Sequence, residues 1–261
     1  MASAYDSMAE TYDDIDSHPF YAGQYVAYAD DLERHAAAWR GRVLDLGCGT
    51  GIHTRLLAER VDYAVGIDVS RSLVRKAREK LAGRSGTALV ADATMLPFAD
   101  SAFDAVQSYG EPLSHIADHE AVVRELARVT KPGGVVVLSI DNEWHARTLL
   151  RPRRLLTALA TRGGAVRDWE YVDDAGRTQR LKLKTFTHRE IRGLLERHGF
   201  RVLDAAGIHV LTLLAPVAAE RPITGWRAAA FHRLHRLDRR LATRWPFSRL
   251  GYSKILSAVR V

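Results

Sequence analysis

The chain has 261 residues, 47% of them hydrophobic, which suits one large α/β core, and no apolar run reaches the roughly 18 residues that a membrane-spanning helix needs. The formal charge of +7 sits in one place: residues 221–261 carry nine Arg and one Lys against Asp238 alone, so the other 220 residues, with 28 basic and 30 acidic side chains, sum to −2. That slightly acidic body, with no separate recognition domain, argues against a nucleic-acid partner, and the single Cys48 excludes a disulfide framework or a thiolate metal site.

In chain order, Ala4 to Asp13 repeats a Tyr-Asp pair, Tyr5-Asp6 and Tyr12-Asp13. No basic start or apolar stretch marks a secretory signal there, so a reducing cytoplasm is expected. His18-Pro19-Phe20-Tyr21 breaks the helical pattern, which resumes from Gly23 to Trp39. Val43-Leu44-Asp45-Leu46 is an apolar run of the kind that a parallel strand buried on both faces requires. Gly47, Gly49 and Gly51 then alternate around Cys48, and an amphipathic helix starts at Ile52. Glycines at this spacing allow a tight strand-to-helix turn that a ligand can touch, and the free amides of the new helix suit a carboxylate or phosphate. The spacing is not the G-x-G-x-x-G of dinucleotide binders.

A second run, Tyr63 to Ile67, ends in Asp68, 23 residues after Asp45. An acid at a strand tip can take both hydroxyls of a ribose. Ser70 is placed to cap a helix over 71–82 that buries Leu73, Val74, Ala77 and Leu81. A third run, Ala88 to Ala91, ends in Asp92-Ala93. A fourth, Phe103 to Val106, leads into Gln107-Ser108-Tyr109-Gly110-Glu111, then Pro112-Leu113-Ser114-His115, a loop at the carboxyl end of a central strand, where open α/β sheets place their ligands. Glu111 and His115 are its ionisable residues. A helix over 120–129, the turn Lys131-Pro132-Gly133-Gly134 and a fifth strand over 135–140 follow.

Residues 141–187 read as an insertion: an arginine-rich helical pattern from Trp144 to Arg167, then a hairpin turning at Asp174-Ala175-Gly176. Thr187 to Glu190 reads as a capping box, and Phe200 to Leu203 as a sixth strand. From Trp226, apolar residues recur at Ala230, Phe231, Leu234, Leu237, Leu241 and Trp245, opposite Arg233, Arg236, Arg239 and Arg240. The expectation is that this face packs on the sheet, with contact to an anionic membrane as the alternative. Tyr252 to Val259 reads as the closing strand.

The D-x-G-x-G-x-G run from Asp45 to Gly51, with Asp68 and Asp92 at the next two strand ends, resembles the class I S-adenosylmethionine (SAM)-dependent methyltransferases. The resemblance implies a Rossmann-like, seven-stranded, doubly wound sheet of order 3-2-1-4-5-7-6 with its last strand antiparallel. It implies one domain over 1–261: a helical lid (1–40), a SAM-binding core (41–140), a roof over the acceptor (141–187) and a C-terminal part (188–261) with a helix between strands 6 and 7. It also implies SAM as methyl donor and S-adenosylhomocysteine (SAH) as product. Contacts to the donor are expected from Tyr12, Asp45, Gly47, Cys48, Gly49, Gly51, Asp68, Val69, Asp92, Ala93 and Ser108, with Asp68 on the ribose and Asp92 on the adenine amino group.

Methyl transfer is an in-line displacement at carbon, so the protein must hold nucleophile, methyl and sulfur aligned and dry. A base is needed only when the nucleophile arrives protonated. His115, whose ordinary pKa suits neutral pH, and Glu111 are the candidates, although His115 could equally cap a helix. Tyr21, Tyr109, His115 and Trp144 are expected to touch the acceptor. No metal is expected: His115 and His119 stand at i, i+4, but no further cluster completes a coordination sphere. The expected function is methylation of an O or N nucleophile on a small molecule, in specialised metabolism. The alternatives are a lipid-linked acceptor, such as a prenylated quinone or phospholipid, and a non-catalytic SAM-binding protein.

Overall fold

The apolar runs that end in glycine or acid become parallel strands of one sheet. A computed structural model describes residues 1–13, 19–149, 163–214 and 225–261. Strand β1 (Arg42–Leu46) buries its last four residues and pairs in parallel with β2 (Tyr63–Asp68) on one side and β4 (Phe103–Ser108) on the other. β3 (Gly86–Val90) extends the sheet beyond β2, and β5 (Thr130–Asp141) beyond β4. At the far edge β9 (Ser253–Arg260) runs antiparallel between β5 and β8 (Phe200–Ile208). The order β3-β2-β1-β4-β5-β9-β8 is the expected 3-2-1-4-5-7-6 once the inserted hairpin is set aside.

Helices cover both faces, as strands buried on each side demand. α6 (His119–Val129) and α8 (His188–Arg197) bring Val122, Leu126, Ile191 and Leu195 against Leu44, Val106 and Leu256. On the other face α2 (Pro19–Arg34) and α3 (Ile52–Ala58) bring Tyr28, Leu32 and Leu57 against Val43, Ala105 and Ile255. Each such fully buried aliphatic side chain contributes about 1.5–3 kcal/mol. α4 (Arg71–Leu81) buries the four residues expected, and the Leu73 amide donates to the Ser70 hydroxyl at 3.2 Å. Asp118 and Thr187 cap α6 and α8 in the same way.

Four local readings are corrected. Pro19, Phe20 and Tyr21 do not break a helix but begin α2, because proline costs nothing in a first helical turn, where the amide has no partner anyway. Within the stretch read as lid, α2 is therefore a core element, and the short helix α1 (Ala2–Asp6) with the turn that follows lies over the sheet's carboxyl edge. The helical pattern from Trp144 to Arg167 yields only α7 (Ala146–Leu149). Residues 150–162 lie outside the described residues, and Val166 already starts a strand. That strand, β6 (Val166–Val172), forms the predicted hairpin with β7 (Thr178–Lys184).

The fourth correction concerns the tail. In α9 (Gly225–Leu241) the buried residues are Phe231, His235 and Asp238, and the Asp238 carboxylate accepts the Leu211 and Thr212 amides. Trp226 is 70% exposed, Leu237 44%, and Trp245, beyond the helix, 81%. The predicted apolar stripe thus meets the protein only through part of its width, because a polar contact takes the centre of the packed face. Among the described residues no helix is long and apolar enough to cross a membrane.

Candidate active site

Two cavities open at the carboxyl edge of the sheet. The first, about 350 Å³, runs past the ends of the first strands, along Gly47, Asp68-Val69 and Asp92-Ala93. The second, about 170 Å³, lies over β4 and β5 under the hairpin, between aromatic rings. They share one wall: Tyr5, Tyr12, Gly47, Tyr109, Gly110 and His115 line both.

The first cavity is shaped by the glycine turn. Gly47 has φ 75°, and a β-carbon there would lie 2.3 Å from the Pro112 ring, so only glycine lets β1 and the β4 loop meet at the shared wall. Asp68 accepts the Gly49 amide at 3.0 Å and the Ser70 amide at 2.9 Å, which ties the strand-2 tip to the turn. Burial raises its carboxyl above the usual range, against the pull of those amides. Asp92 accepts both the amide and the hydroxyl of Thr94 at 2.8 Å, fixing it at the other end.

The Tyr-Asp repeat near the N-terminus now has a physical reading. The Asp6 carboxylate accepts the Ser70 hydroxyl at 2.6 Å and the Ser72 amide at 2.9 Å, so it anchors at the head of α4. Asp13 accepts from Thr50 at 2.5 Å and from the Lys80 ammonium at 2.6 Å. Each aspartate pins its neighbouring tyrosine to the shared wall, and the Tyr12 ring lies over Gly49, 3.4 Å from where a β-carbon would stand. At the far end the hairpin closes on the same segment: Asp174 accepts the Glu10 and Thr11 amides, each at 3.1 Å, and donates its own amide to the Ser7 carbonyl at 2.6 Å.

Of the residues expected around the donor, Tyr12, Gly47, Asp68, Val69, Asp92 and Ala93 line the first cavity, while Cys48 and Gly49 line the second. Asp45, Gly51 and Ser108, expected as donor contacts, line neither cavity, and each supports the turn. Asp45 is buried and accepts the Thr54 hydroxyl at 2.6 Å, and burial raises its pKa to about 6. Ser108 donates to the Leu46 carbonyl at 2.9 Å. Gly51, with φ 82°, lets α3 pack where a β-carbon would sit 2.8 Å from that of Ala77.

In the second cavity Tyr21, Tyr109 and His115 stand as expected, but Trp144 does not line it. The Asn142 side-chain amide donates to the Trp144 backbone carbonyl at 2.7 Å. Trp169 of the hairpin takes that place, edge-on to His115 at 5.5 Å. His119 lines neither cavity and sets its ring against Phe186.

The two candidate bases separate electrostatically. His115 ends the short helix α5 (Pro112–His115), and its Nδ1 is buried with no hydrogen-bond partner. Burial lowers its pKa to about 4, so it is neutral at neutral pH and a weak base, contrary to the expectation from its ordinary pKa. Glu111 sits in the left-handed region at φ 57°, a strained conformation for a residue with a side chain. Its amide donates to the Ser139 hydroxyl at 3.0 Å, and its carboxylate accepts the Tyr28 hydroxyl at 2.7 Å. Burial raises its pKa, which makes its carboxylate a stronger base than an exposed one.

Sequence reasoning missed Asp141. It lies at the end of β5, lines the same cavity, and is raised well above the usual range by burial and then by the charge of Glu111. An acid at the carboxyl end of the strand next to β4 was a signal available in the sequence.

Residues 43–134 match the model of a methyltransferase domain family. A protein of Methanocaldococcus jannaschii whose function is uncharacterised is 26% identical over 213 residues, 79% of this chain and 78% of its own length. A demethylmenaquinone methyltransferase of Corynebacterium urealyticum is 38% identical over 141 residues, which span 53% of this chain and 58% of that enzyme. Among solved structures, the complex of DhpI with SAM and HEP has a TM-score of 0.64 at 21% identity, covering 99% of this chain and 95% of that one. The chain thus shares the fold of that solved structure, and its core over residues 43–134 is similar to the methyltransferase domain family.

Proposed function

We propose that this protein transfers the methyl group of SAM to an oxygen or nitrogen nucleophile of a small-molecule acceptor. The carrying observation is the shared wall: two cavities of different lining meet only across Tyr5, Tyr12, Gly47, Tyr109, Gly110 and His115. In this reading Asp68 holds the ribose hydroxyls, Asp92 faces the adenine, and Gly47 lets the methyl-bearing sulfur approach the wall. The acceptor enters from the aromatic side, and Glu111 takes a proton where the nucleophile brings one. The N-terminal turn and the hairpin shut the wall from water, which is what a reactive sulfonium needs. SAM consumption with stoichiometric SAH formation, once an acceptor is supplied, is the direct assay. Independently of the acceptor, Asp68→Ala should weaken SAM binding by about 1–3 kcal/mol in calorimetry, through loss of charge-assisted hydrogen bonds. Unchanged affinity in a folded variant would remove the donor assignment.

A lipid-linked acceptor is the second reading. It is favoured by the exposed Trp226, Leu237 and Trp245 beside the arginines of the tail, and by the similarity to a demethylmenaquinone methyltransferase. Salt-sensitive flotation with anionic vesicles would support it, and absence of binding at low salt would remove it.

A further inference from the structure

We infer that the acceptor is a basic amine, bound as its ammonium between the aromatic walls of the second cavity and the carboxylates of Glu111 and Asp141. This inference rests on the methyltransferase reading above and narrows its acceptor.

Three observations converge. First, the charge is one-sided. The second cavity is lined by Glu111 and Asp141, and among the described residues neither cavity lining contains an Arg or Lys, in a protein of net charge +7. The histidines of the lining do not offset this: burial lowers both His53 and His115 to about 4, so they are neutral. Second, the walls are aromatic. Tyr21, Tyr25, Tyr28, Tyr109, Trp169 and Tyr252 face the same space, the electron-rich surroundings that attract organic cations. Third, the carboxylates are held for use rather than satisfied by cations. Glu111 is fixed by the Tyr28 hydroxyl and by its own amide on Ser139, and no ion pair to either acid is seen among the described residues.

The chemistry follows the same sign. Transfer to an amine moves positive charge from sulfur to nitrogen, so carboxylates beside the nitrogen stabilise the charge as it develops. Transfer to a phenolate or carboxylate would require a further anion next to Glu111 and Asp141, which both charges oppose. An ammonium R–NH3+ first gives one proton to a carboxylate. The freed lone pair forms the N–C bond while the C–S electron pair leaves to sulfur, yielding R–NH2+–CH3, SAH and one proton on the carboxyl group. Burial raises both acids above the usual carboxylate range, and an arriving ammonium favours their charged forms, so binding should shift protons toward solvent.

The test is calorimetry on the full chain saturated with SAH, using 2-phenylethylamine, its neutral isostere 2-phenylethanol and the anion 3-phenylpropanoate. SAH saturation is checked first. Failure of SAH and SAM to bind would overturn the methyltransferase reading itself, whereas the outcomes below bear only on the acceptor. The amine should bind at least tenfold more tightly than the alcohol, with an enthalpy that varies with the buffer's ionisation heat, and the anion should not bind. Glu111→Gln and Asp141→Asn should each cost the amine about tenfold, leave the alcohol unchanged and leave SAH affinity intact. Equal or tighter binding of alcohol or anion, or no amine binding, would overturn the inference. So would a loss of SAH affinity in Glu111→Gln, since the carboxylate would then serve the cofactor's own ammonium.

Discussion

His53 shows how a single side chain records the chemistry of its surroundings. It stacks on Tyr25 with ring centroids 5.0 Å apart, meets Tyr28 and Tyr109 edge-on, and buries Nε2 without a hydrogen-bond partner. Burial lowers its pKa from 6.5 to about 4, so between those values the unfolded chain binds a proton that the native one refuses. Stability from this residue is therefore present above pH 6.5 and falls as pH drops toward 4. His53→Phe should lose less stability than the parent between pH 6.5 and pH 4 in urea titrations at the two values, and parallel losses would refute the assignment. Residues of this kind divide into those the sequence reveals and those it hides. Asp68 and Asp92 were legible because a strand tip and its acid are neighbours in sequence. Trp169 was not, because its place depends on how a hairpin folds back over the sheet, while Asp141 carried the same strand-end signal but takes its meaning from the pairing of β5 with β4. His115 was legible in position but not in charge, since its pKa is set by burial that no local pattern encodes.

At the level of elements, hydrophobic periodicity gave β1, β2, β4 and the α4 and α6 helices closely, fell short of the full length of β5 and β8, and failed where packing was only partial. The tail helix α9 has an apolar stripe by spacing, yet its packed face centres on Phe231, His235 and Asp238, with Leu237 left 44% exposed. Periodicity identifies which residues share a face but not how much of that face finds a neighbour. Two substitutions separate the halves. Phe231→Ala should cost about 3 kcal/mol or more, by emptying a fully buried site. Leu237→Asp should stay within about 0.5 kcal/mol of the parent, since its surface already meets water. Chemical denaturation of both variants is the check, and a large cost at Leu237 would mean that the stripe is covered.

Across the whole molecule, the N-terminal turn, the glycine loop and the inserted hairpin are joined in a ring around the two cavities. Asp174 is the joint, holding the Glu10 and Thr11 amides and the Thr11 hydroxyl. Asp174→Ala should raise the Kd for SAM about tenfold, the worth of roughly 1.5 kcal/mol of hydrogen bonding to a charge, and should speed amide exchange over residues 1–13. The melting temperature should hardly move, because none of these bonds belongs to the core. A folded variant with unaltered exchange would show that the ring is closed by other contacts.

That joint reaches beyond the hairpin. The segment it ties down carries Tyr5 and Tyr12, which border both cavities. On the proposed function, donor and acceptor would therefore share one threshold, an arrangement that favours a fixed order of arrival, donor before acceptor.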